Sequence, residues 1–317
     1  MSVDPDPQLA FVFPGQGSQS IGMLAELAEV HPIVRETFEE ASDGAGVDLW
    51  ALSQSGAEVM LNRTEYTQPA LLAAGIAVWR VWRDQGGTAP QLLAGHSLGE
   101  YTALVAAEAI ELHDAAHLVR IRGQAMQDAA PPGVGAMAAI LGIDDATVES
   151  VCREVTTDQL VVPANYNSPG QVVIGGHVRA VDAAIAELSA RGARKTVKLS
   201  VSVPSHTPLM REAANRVAEA MSAYRWREPE IPVIQNVDAQ VHIGVAQVRE
   251  ALTRQLYLPV RWSDCVRTMH DAGIRRTAEC GPGKVLTGLI KRSARDIDGR
   301  TIGSPGELDA ALGEWRH

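Results

Sequence analysis

Short apolar runs alternate with helical patterns along the first third of the chain. Residues 9–13 are all apolar and stop at Pro14 and Gly15, which is typical of a fully buried strand that leads into a loop. A second short apolar run, residues 92–94, predicts another strand, and a helical pattern over residues 100–109 follows a glycine-bounded turn. Buried strands that alternate with helices predict an α/β fold.

Two longer stretches in the same part of the chain predict helices. Residues 68–85 are rich in Ala, Leu and Val, so we expect a mostly buried helix in which Trp79 and Trp82 are packing residues. A second helix is predicted over residues 111–128. The longest apolar run, residues 69–79, is shorter than the roughly 18 to 20 residues that a membrane-spanning helix needs.

From about residue 135 the pattern changes to six short elements in the order strand, helix, strand, strand, helix, strand. This is the ferredoxin-like arrangement. The predicted strands cover residues 136–141, 160–165, 171–174 and 195–199, and the predicted helices cover residues 144–156 and 178–191.

The two ends of this unit are marked by proline. Proline at Pro131–Pro132 and at Val203–Pro204 interrupts the neighbouring elements, so we place the boundaries there. The prediction is a large α/β domain formed by residues 1–131 and 203–317, with residues 132–202 inserted as a small ferredoxin-like domain.

Composition and charge narrow the range of partners. Hydrophobic residues make up 46% of the 317, which is ordinary for a globular protein with a sizeable core. The formal net charge of −10 gives no positive field that would gather nucleic acid or an anionic membrane, so we expect neither as a partner. The first eight residues lack the basic and apolar segments of a signal peptide.

Cysteine usage favours a reducing compartment. Cys152, Cys265 and Cys280 are odd in number and widely spaced, which argues against a disulfide framework or a zinc site. We therefore expect a cytoplasmic protein with no metal.

The strongest local motif is Gly95-His96-Ser97-Leu98-Gly99, which lies between a predicted strand and a predicted helix. That context is required for a nucleophile elbow, in which glycines permit a sharp turn that exposes the serine hydroxyl at a helix N-terminus. Ser97 is therefore the candidate nucleophile.

A serine needs a base, and the chain has nine histidines from which spacing alone does not choose. His96 adjoins Ser97, but neighbouring side chains on a turn usually point apart. His113 and His117 share a helix face but have no evident third metal ligand, so a solvated face is favoured. His206 lies in a loop at a predicted domain junction, which makes it a good catalytic candidate.

No acid that would orient the base stands out. The carboxylates between Ser97 and His206 resemble helix-start or surface residues, and a neutral acceptor such as a main-chain carbonyl would also hold the imidazole in one tautomer. The aspartates considered are Asp114, Asp128, Asp144, Asp145, Asp158 and Asp182.

Arg120 and Arg122 lie two positions apart on one predicted helix, so at most one of them is expected to face inward. An inward arginine would offer a planar fork for a carboxylate. Gly281–Lys284 is rich in glycine but lacks the spacing of a phosphate loop.

Four segments together resemble the bacterial malonyl-CoA:acyl carrier protein transacylases of type II fatty acid synthesis, over about residues 11–292. These segments are Phe11–Gln19, Gly95–Glu100, Val203–His206 and Glu279–Lys284, and the shorter motifs Asn165–Gly170, Asn236–Asp238 and Arg254–Tyr257 also fit.

The resemblance implies a hydrolase-like α/β domain with the ferredoxin-like insertion, and it implies a role for each site residue. Ser97 would carry the malonyl group and His206 would act as general base and acid. Arg122 would bind the free malonyl carboxylate. The main-chain amides of Gln16 and Leu98 would form the oxyanion hole, and the main-chain carbonyl of Gln255 would orient His206.

The implied reaction is a ping-pong transfer of malonyl from malonyl-CoA to the phosphopantetheine thiol of acyl carrier protein, with no cofactor and with a monomeric enzyme. A serine hydrolase or thioesterase acting on acyl-CoA is the alternative, and a non-catalytic carrier-binding module is a rival of another class. Ser205 stands where some relatives carry an aromatic residue, which leaves room beside the malonyl carbon.

An acidic carrier protein would need a local basic surface on this acidic chain. The candidate docking residues are Arg191, Arg194, Lys195 and Lys198 on the small domain and Lys284, Lys291 and Arg292 on the large one.

Overall fold

The computed structural model describes residues 5–131, 133–201 and 203–315. Its strands are β1 (Asp6–Phe13), β2 (Pro90–Gly95), β3 (Gly135–Leu141), β4 (Val161–Ser168), β5 (Gln171–His177), β6 (Lys195–Lys198), β7 (Val233–Ile234), β8 (Arg276–Glu279) and β9 (Asp298–Thr301). Its α-helices are α1 (Ala25–Val30), α2 (Ile33–Ala45), α3 (Leu49–Ser55), α4 (Glu58–Leu61), α5 (Thr64–Asp84), α6 (Leu98–Ala106), α7 (Leu112–Ala129), α8 (Asp145–Val155), α9 (Val178–Ala190), α10 (Arg211–Met221), α11 (Val245–Gln255), α12 (Trp262–Asp271), α13 (Val285–Ser293) and α14 (Pro305–Trp315).

The larger sheet has five parallel strands in the order β7-β2-β1-β8-β9. Its central strand β1 is the apolar run predicted from the sequence, and residues 9–13 are fully buried there. Phe11 meets the rings of Trp79 and Trp82 edge-on, with centroids 5.2 and 5.3 Å away, so the two tryptophans of α5 pack as expected. The predicted α/β class is confirmed.

The carboxyl ends of the central strands meet at one edge of this sheet. Phe13 pairs with Gly95 across β1 and β2, and Val12 pairs with Glu279 across β1 and β8. The loops that follow these strands therefore emerge side by side, which is where ligands bind in parallel α/β sheets.

The smaller sheet has four antiparallel strands in the order β4-β5-β3-β6. With α8 and α9 it follows the predicted strand-helix-strand-strand-helix-strand order, so the ferredoxin-like arrangement is confirmed. One face of the sheet packs on the two helices in a core that includes Ala138, Ile140, Val148 and Val181.

The smaller sheet is tied to the rest of the chain through the edge strand β4. The Tyr166 main-chain N–H donates to the Val260 carbonyl, and the Val260 N–H donates to the Ala164 carbonyl, each at 2.9 Å. The domain boundaries proposed from the sequence stay a prediction, and Pro132, on one of them, lies outside the described residues, as do residues 1–4, 202, 316 and 317.

Two predicted helices have different limits in the structure. The helix expected over residues 100–109 begins at Leu98, directly after the turn, and ends at Ala106, because Glu108 takes a left-handed φ of 59°. The helix expected over residues 68–85 begins earlier, at Thr64, and ends at Asp84. A short 3-10 turn over Pro208–Met210 leads into α10. Within the described residues, no helix is long and apolar enough to cross a bilayer.

Candidate active site

Ser97 occupies a sharp turn between β2 and α6. Its φ of 54° and ψ of −106° are rarely adopted by a residue with a side chain. A Cβ on Gly95 would lie 1.9 Å from the Gly99 carbonyl carbon, and one on Gly99 would lie 1.9 Å from the Phe13 carbonyl oxygen. The turn therefore requires glycine on both sides of the serine, as a nucleophile elbow does.

His206 meets Ser97 from the loop that precedes the 3-10 turn. Ser97 Oγ and His206 Nε2 are 2.8 Å apart, and His206 Nδ1 lies 2.6 Å from the main-chain oxygen of Gln255. A carbonyl only accepts, so Nδ1 carries the ring proton and Nε2 is free to accept from the Ser97 hydroxyl. His206 also has a left-handed φ, of 62°, and its N–H donates to the Leu256 carbonyl.

The position that an orienting acid would occupy is therefore taken by a neutral carbonyl. The candidate aspartates lie in other environments: Asp128 pairs with Arg216, Asp182 pairs with Lys198, Asp114 contacts His113, Asp158 accepts from Thr157, and Asp144 and Asp145 begin α8. Burial, followed by the charge of Arg122, lowers the pKa of His206 to about 3. The imidazole is neutral at physiological pH and ready to accept a proton.

Arg122, and not Arg120, turns toward the serine. The Arg122 side chain is 1% exposed, and its Nη2 donates to Ser97 Oγ at 3.3 Å. Nη1 donates to Gln68 Oε1 at 2.7 Å. The guanidinium also stands over the ring of Tyr101, 5.3 Å from its centroid. Arg120 instead donates to the Ala45 carbonyl and stands over the ring of Tyr66.

Among the described residues, Nε of Arg122 has no hydrogen-bond partner although it is buried. A buried guanidinium with unused donors is costly to leave alone and suits an incoming anion. Arg122 therefore offers a carboxylate-binding group beside the serine hydroxyl.

Asn236 holds the serine from the loop after β7. Its Oδ1 accepts from the Ser97 N–H at 2.7 Å, and its Nδ2 donates to the Gly95 carbonyl at 2.7 Å. In the sequence, Asn236 stands in the motif Asn236–Asp238, which by itself indicates no role for it. Its side-chain amide is wholly buried, and a buried amide needs hydrogen-bond partners, which Asn236 finds at the elbow.

Gln255 contributes its side chain as well as its carbonyl. Oε1 accepts from Arg122 Nη2 at 2.9 Å, while Nε2 donates to the Ser97 carbonyl at 2.9 Å and to Glu100 Oε2 at 3.1 Å. Only the carbonyl of Gln255 was expected at the site, and no role was predicted for Gln68 or Glu100. Gln68 is a polar residue within the Ala- and Leu-rich buried helix α5, and that contrast was the available signal.

A cleft of about 390 Å³ opens above these groups, between the two sheets. Gln16 and Leu98 line it, and neither main-chain N–H has an acceptor within the part of the chain that the structure describes. Apolar residues of the smaller sheet, Met137, Ala139 and Val173, form the facing wall. Ser205 also lines the cleft, beside His206.

The remaining candidate residues lie in other environments. His96 Nε2 is 2.8 Å from Asn167 Oδ1, on β4, so it does not point at Ser97 Oγ. His113 contacts Asp114 and His117 contacts Tyr224. The three cysteines are buried free thiols: Cys152, Cys265 and Cys280.

The assembled groups suit one kind of chemistry. A hydroxyl with a neutral base performs nucleophilic attack on an acyl carbon, and free amides at a helix N-terminus stabilise the resulting oxyanion. A cation beside the hydroxyl selects an acyl group that carries a second, free carboxylate.

Comparison with known proteins is consistent with this chemistry. The sequence model of one family, described as the acyl transferase domain, matches residues 10–316. The malonyl CoA-acyl carrier protein transacylase of Salmonella typhimurium is 52% identical over 305 residues, which are 96% of this chain and 99% of that protein. The Bacillus subtilis protein of the same name is 42% identical over 306 residues, 96% of each chain.

Solved structures are also similar. The crystal structure of malonyl-CoA:acyl carrier protein transacylase from Xanthomonas oryzae pv. oryzae superposes with a TM-score of 0.98 at 66% identity, over 99% of this chain and 100% of that one. A type II PKS acyl-carrier protein in complex with its malonyl-transacylase gives a TM-score of 0.95 at 48% identity, over 97% of this chain and 99% of the matched one.

Proposed function

Because this chain belongs to the acyl transferase domain family, among the malonyl-CoA:acyl carrier protein transacylases, we propose that Ser97, His206 and Arg122 carry out its reaction. The protein transfers the malonyl group from malonyl-CoA to acyl carrier protein in fatty acid synthesis. The observation that supports these roles is that Ser97 Oγ lies 2.8 Å from His206 Nε2 and 3.3 Å from Arg122 Nη2.

In the first half-reaction, Ser97 Oγ attacks the thioester carbonyl of malonyl-CoA while His206 Nε2 takes the hydroxyl proton. The carbon–sulfur bond then breaks, and the departing CoA sulfur receives that proton from His206. The product is a malonyl ester on Ser97 and free CoA.

In the second half-reaction, the phosphopantetheine thiol of the carrier protein gives its proton to His206 and attacks the ester carbonyl. The carbon–oxygen bond to Ser97 breaks, and the serine oxygen recovers the proton. His206 returns to its neutral state after each half, so one imidazole serves as base and then as acid.

The main-chain amides of Gln16 and Leu98 are proposed as the oxyanion hole for both tetrahedral intermediates. Support comes from their place in the cleft wall and from the lack of another acceptor for either N–H among the described residues. Leu98 begins α6, so the positive end of the helix dipole adds to the stabilisation.

Arg122 is proposed to bind the free carboxylate of the malonyl group, and Gln255 to orient His206 through its carbonyl. An acetyl group has no carboxylate and would leave the guanidinium buried without an anionic partner, which disfavours it. Ser205, a small residue at the cleft, is compatible with a branched acyl group beside the malonyl position.

The carrier protein is proposed to dock beside α13. Val285 and Leu286, at the start of this helix, line the cleft. Lys284 directly precedes them and Lys291 lies further along the helix, and both lysines are exposed. Neither lysine has an ion pair within the described chain. On the small domain, Arg191 and Lys198 are already paired with carboxylates, while Arg194 and Lys195 are exposed without an ion pair among the described residues. We prefer α13 because its first residues line the cleft.

We place the reaction in the cytoplasm and in a monomer. Support for the compartment comes from the three cysteines, all of which are buried and unpaired. The net charge of −10 favours neither nucleic acid nor an anionic membrane as a partner.

Intact-mass measurement after incubation with malonyl-CoA tests the proposal. The wild type should gain one malonyl group and lose it again when carrier protein is added, with the mass appearing on the carrier. Ser97→Ala should gain none. Release of free malonate in place of carrier loading would identify a hydrolase, and a malonyl adduct on Ser97→Ala would reject the proposed nucleophile.

A further inference from the structure

Glu100 is a buried carboxyl group that the proposed chemistry does not use. It lies in the first turn of α6, one turn after Ser97, and is wholly inaccessible to solvent. Its Oε2 accepts from the Asn236 N–H at 2.7 Å and from Gln255 Nε2 at 3.1 Å. Its Oε1 has no hydrogen-bond partner among the described residues.

The amide of Gln255 links this carboxyl to the substrate-binding cation. Arg122 only donates, so Gln255 must turn Oε1 toward it and Nε2 toward Glu100. The chain of bonds runs from the guanidinium through one amide to the carboxylate. When no substrate is bound, the negative charge of ionised Glu100 thus offsets the buried positive charge of Arg122.

A malonyl carboxylate bound to Arg122 changes that balance. Two negative groups would then share one cation in a site that excludes water, and like charges at close range raise the pKa of the weaker acid. Burial has already raised the pKa of Glu100 to about 7 in the empty site, so a modest further rise moves its titration across neutral pH. Glu100 is the group that can relieve the excess negative charge by taking up a proton.

The hydrogen bonds leave a place for that proton. Both bonds of Glu100 go to Oε2, so protonation at Oε1 keeps the contacts with Asn236 and Gln255. The elbow and the guanidinium then remain held in both protonation states.

Four other charged or titratable groups interact with Glu100. Arg122 on α7 stabilises the carboxylate and Asp238, after β7, opposes it. Burial raises the pKa of Tyr101, on α6, to about 12 and that of Cys265, on α12, well above its usual value, so both stay neutral.

We propose that Glu100 is a positioning residue whose protonation is coupled to substrate binding: above pH 7 it is a carboxylate when no substrate is bound, and it takes up a proton when a malonyl carboxylate binds Arg122. The inference rests on the proposed role of Arg122. It makes malonyl binding, and not acetyl binding, dependent on pH near neutrality.

Calorimetry in buffers of different ionisation enthalpy measures the proton uptake. A Ser97→Ala background prevents reaction, so malonyl-CoA binds without transfer. We expect uptake of a fraction of a proton per malonyl-CoA bound between pH 7 and 8, and no uptake when acetyl-CoA binds as the control. Adding Glu100→Gln, which keeps an acceptor for Asn236 and Gln255, should abolish the difference in proton uptake between malonyl-CoA and acetyl-CoA.

Glu279→Gln is the matched control. Glu279 is also a buried carboxyl with a raised pKa, but its partners are Leu286 and Thr287 at the start of α13. Its variant should retain the malonyl-dependent uptake. Equal uptake with acetyl-CoA, uptake that persists in Glu100→Gln, or malonyl-CoA binding without uptake would each overturn the inference.

The pH dependence of affinity gives a second readout that does not depend on the Glu100 variant. In Ser97→Ala, the Kd of malonyl-CoA should rise relative to that of acetyl-CoA above pH 7, by up to about tenfold per pH unit for one linked proton. A constant ratio of the two Kd values contradicts the proton linkage. No preference for malonyl-CoA at any pH would contradict the proposed role of Arg122 itself, and with it this inference.

Discussion

Arg122 Nη2 lies 3.3 Å from Ser97 Oγ, so the cation and the hydroxyl share one corner of the cleft. An acyl group whose carbonyl carbon sits at the serine would therefore place a carboxylate two carbons away within reach of the guanidinium. The short separation connects acyl selection with the attack step.

Replacing Arg122 tests that connection. Arg122→Ala should reduce the malonyl-to-acetyl ratio of kcat/KM by about 100-fold or more, since hydrogen bonds to a charged group contribute about 1.5–3 kcal/mol each. Arg120→Ala, on the same helix but directed at Ala45, should leave the ratio unchanged. The ratio is measured by loading the enzyme with each CoA ester, and an unaltered ratio in Arg122→Ala would reject carboxylate recognition.

The lowered pKa of His206 predicts that the rate of malonyl loading does not fall at mildly acidic pH. A base whose pKa is lowered to about 3 stays neutral far below pH 6.5, the ordinary histidine value. The kcat/KM for malonyl loading should therefore stay nearly flat from pH 7 down to pH 5, as measured by single-turnover mass spectrometry. A tenfold loss per pH unit below a midpoint near 6.5 would show that an unperturbed imidazole acts as base.

Charge reversal on α13 tests the proposed docking surface. Lys291→Glu should raise the KM for carrier protein severalfold and leave the malonyl-CoA half-reaction intact, because only the macromolecular encounter uses this surface. Lys198→Glu is the control, since Lys198 is already paired with Asp182 on the other side. Similar effects of the two substitutions, or a slowed first half-reaction, would place docking elsewhere.

Glycine-to-alanine substitution should have opposite effects on stability at Gly99, in the elbow, and at Gly313, on α14. Gly99→Ala would push a methyl group against the Phe13 carbonyl oxygen, and we expect a loss of about 3 kcal/mol or more in the free energy of unfolding. Gly313→Ala, exposed on α14 with open space around it, should instead gain about 0.5–1 kcal/mol. Thermal unfolding measures both, and a stable Gly99→Ala would contradict the close approach.

The sequence pattern predicted the inserted sheet well because each of its strands and helices shows the expected spacing of apolar residues and is bounded by turn residues. The buried strands β1 and β2 were visible for the same reason. By contrast β7 has only two residues, Val233–Ile234, and is a strand solely through pairing with β2, which no local pattern reveals.

Some residues of the site could likewise be predicted from the sequence, and others could not. Ser97 stands in a motif whose chemistry is local, while the choice of His206 among nine histidines rested on the family resemblance. The roles of Asn236 and the Gln255 side chain depend on contacts spanning 139 and 158 positions, and such contacts exist only after folding. Glu100 looked like an ordinary first-turn acid, and only its complete burial distinguishes it.

The main-chain bonds between Val260 and the edge strand β4 bear on how such proteins diversify. These two bonds join peptide groups, so they form with any residue other than proline at positions 166 and 260, whereas the contacts His96–Asn167 and Arg292–Gln171 across the same boundary depend on the side chains. Recombination between relatives can thus graft a new inserted sheet, and with it new versions of Met137, Ala139 and Val173, onto an unaltered half that keeps the hydroxyl and the imidazole. The wall that faces the acyl group can then change separately from the nucleophile, the base and the arginine proposed to bind the carboxylate.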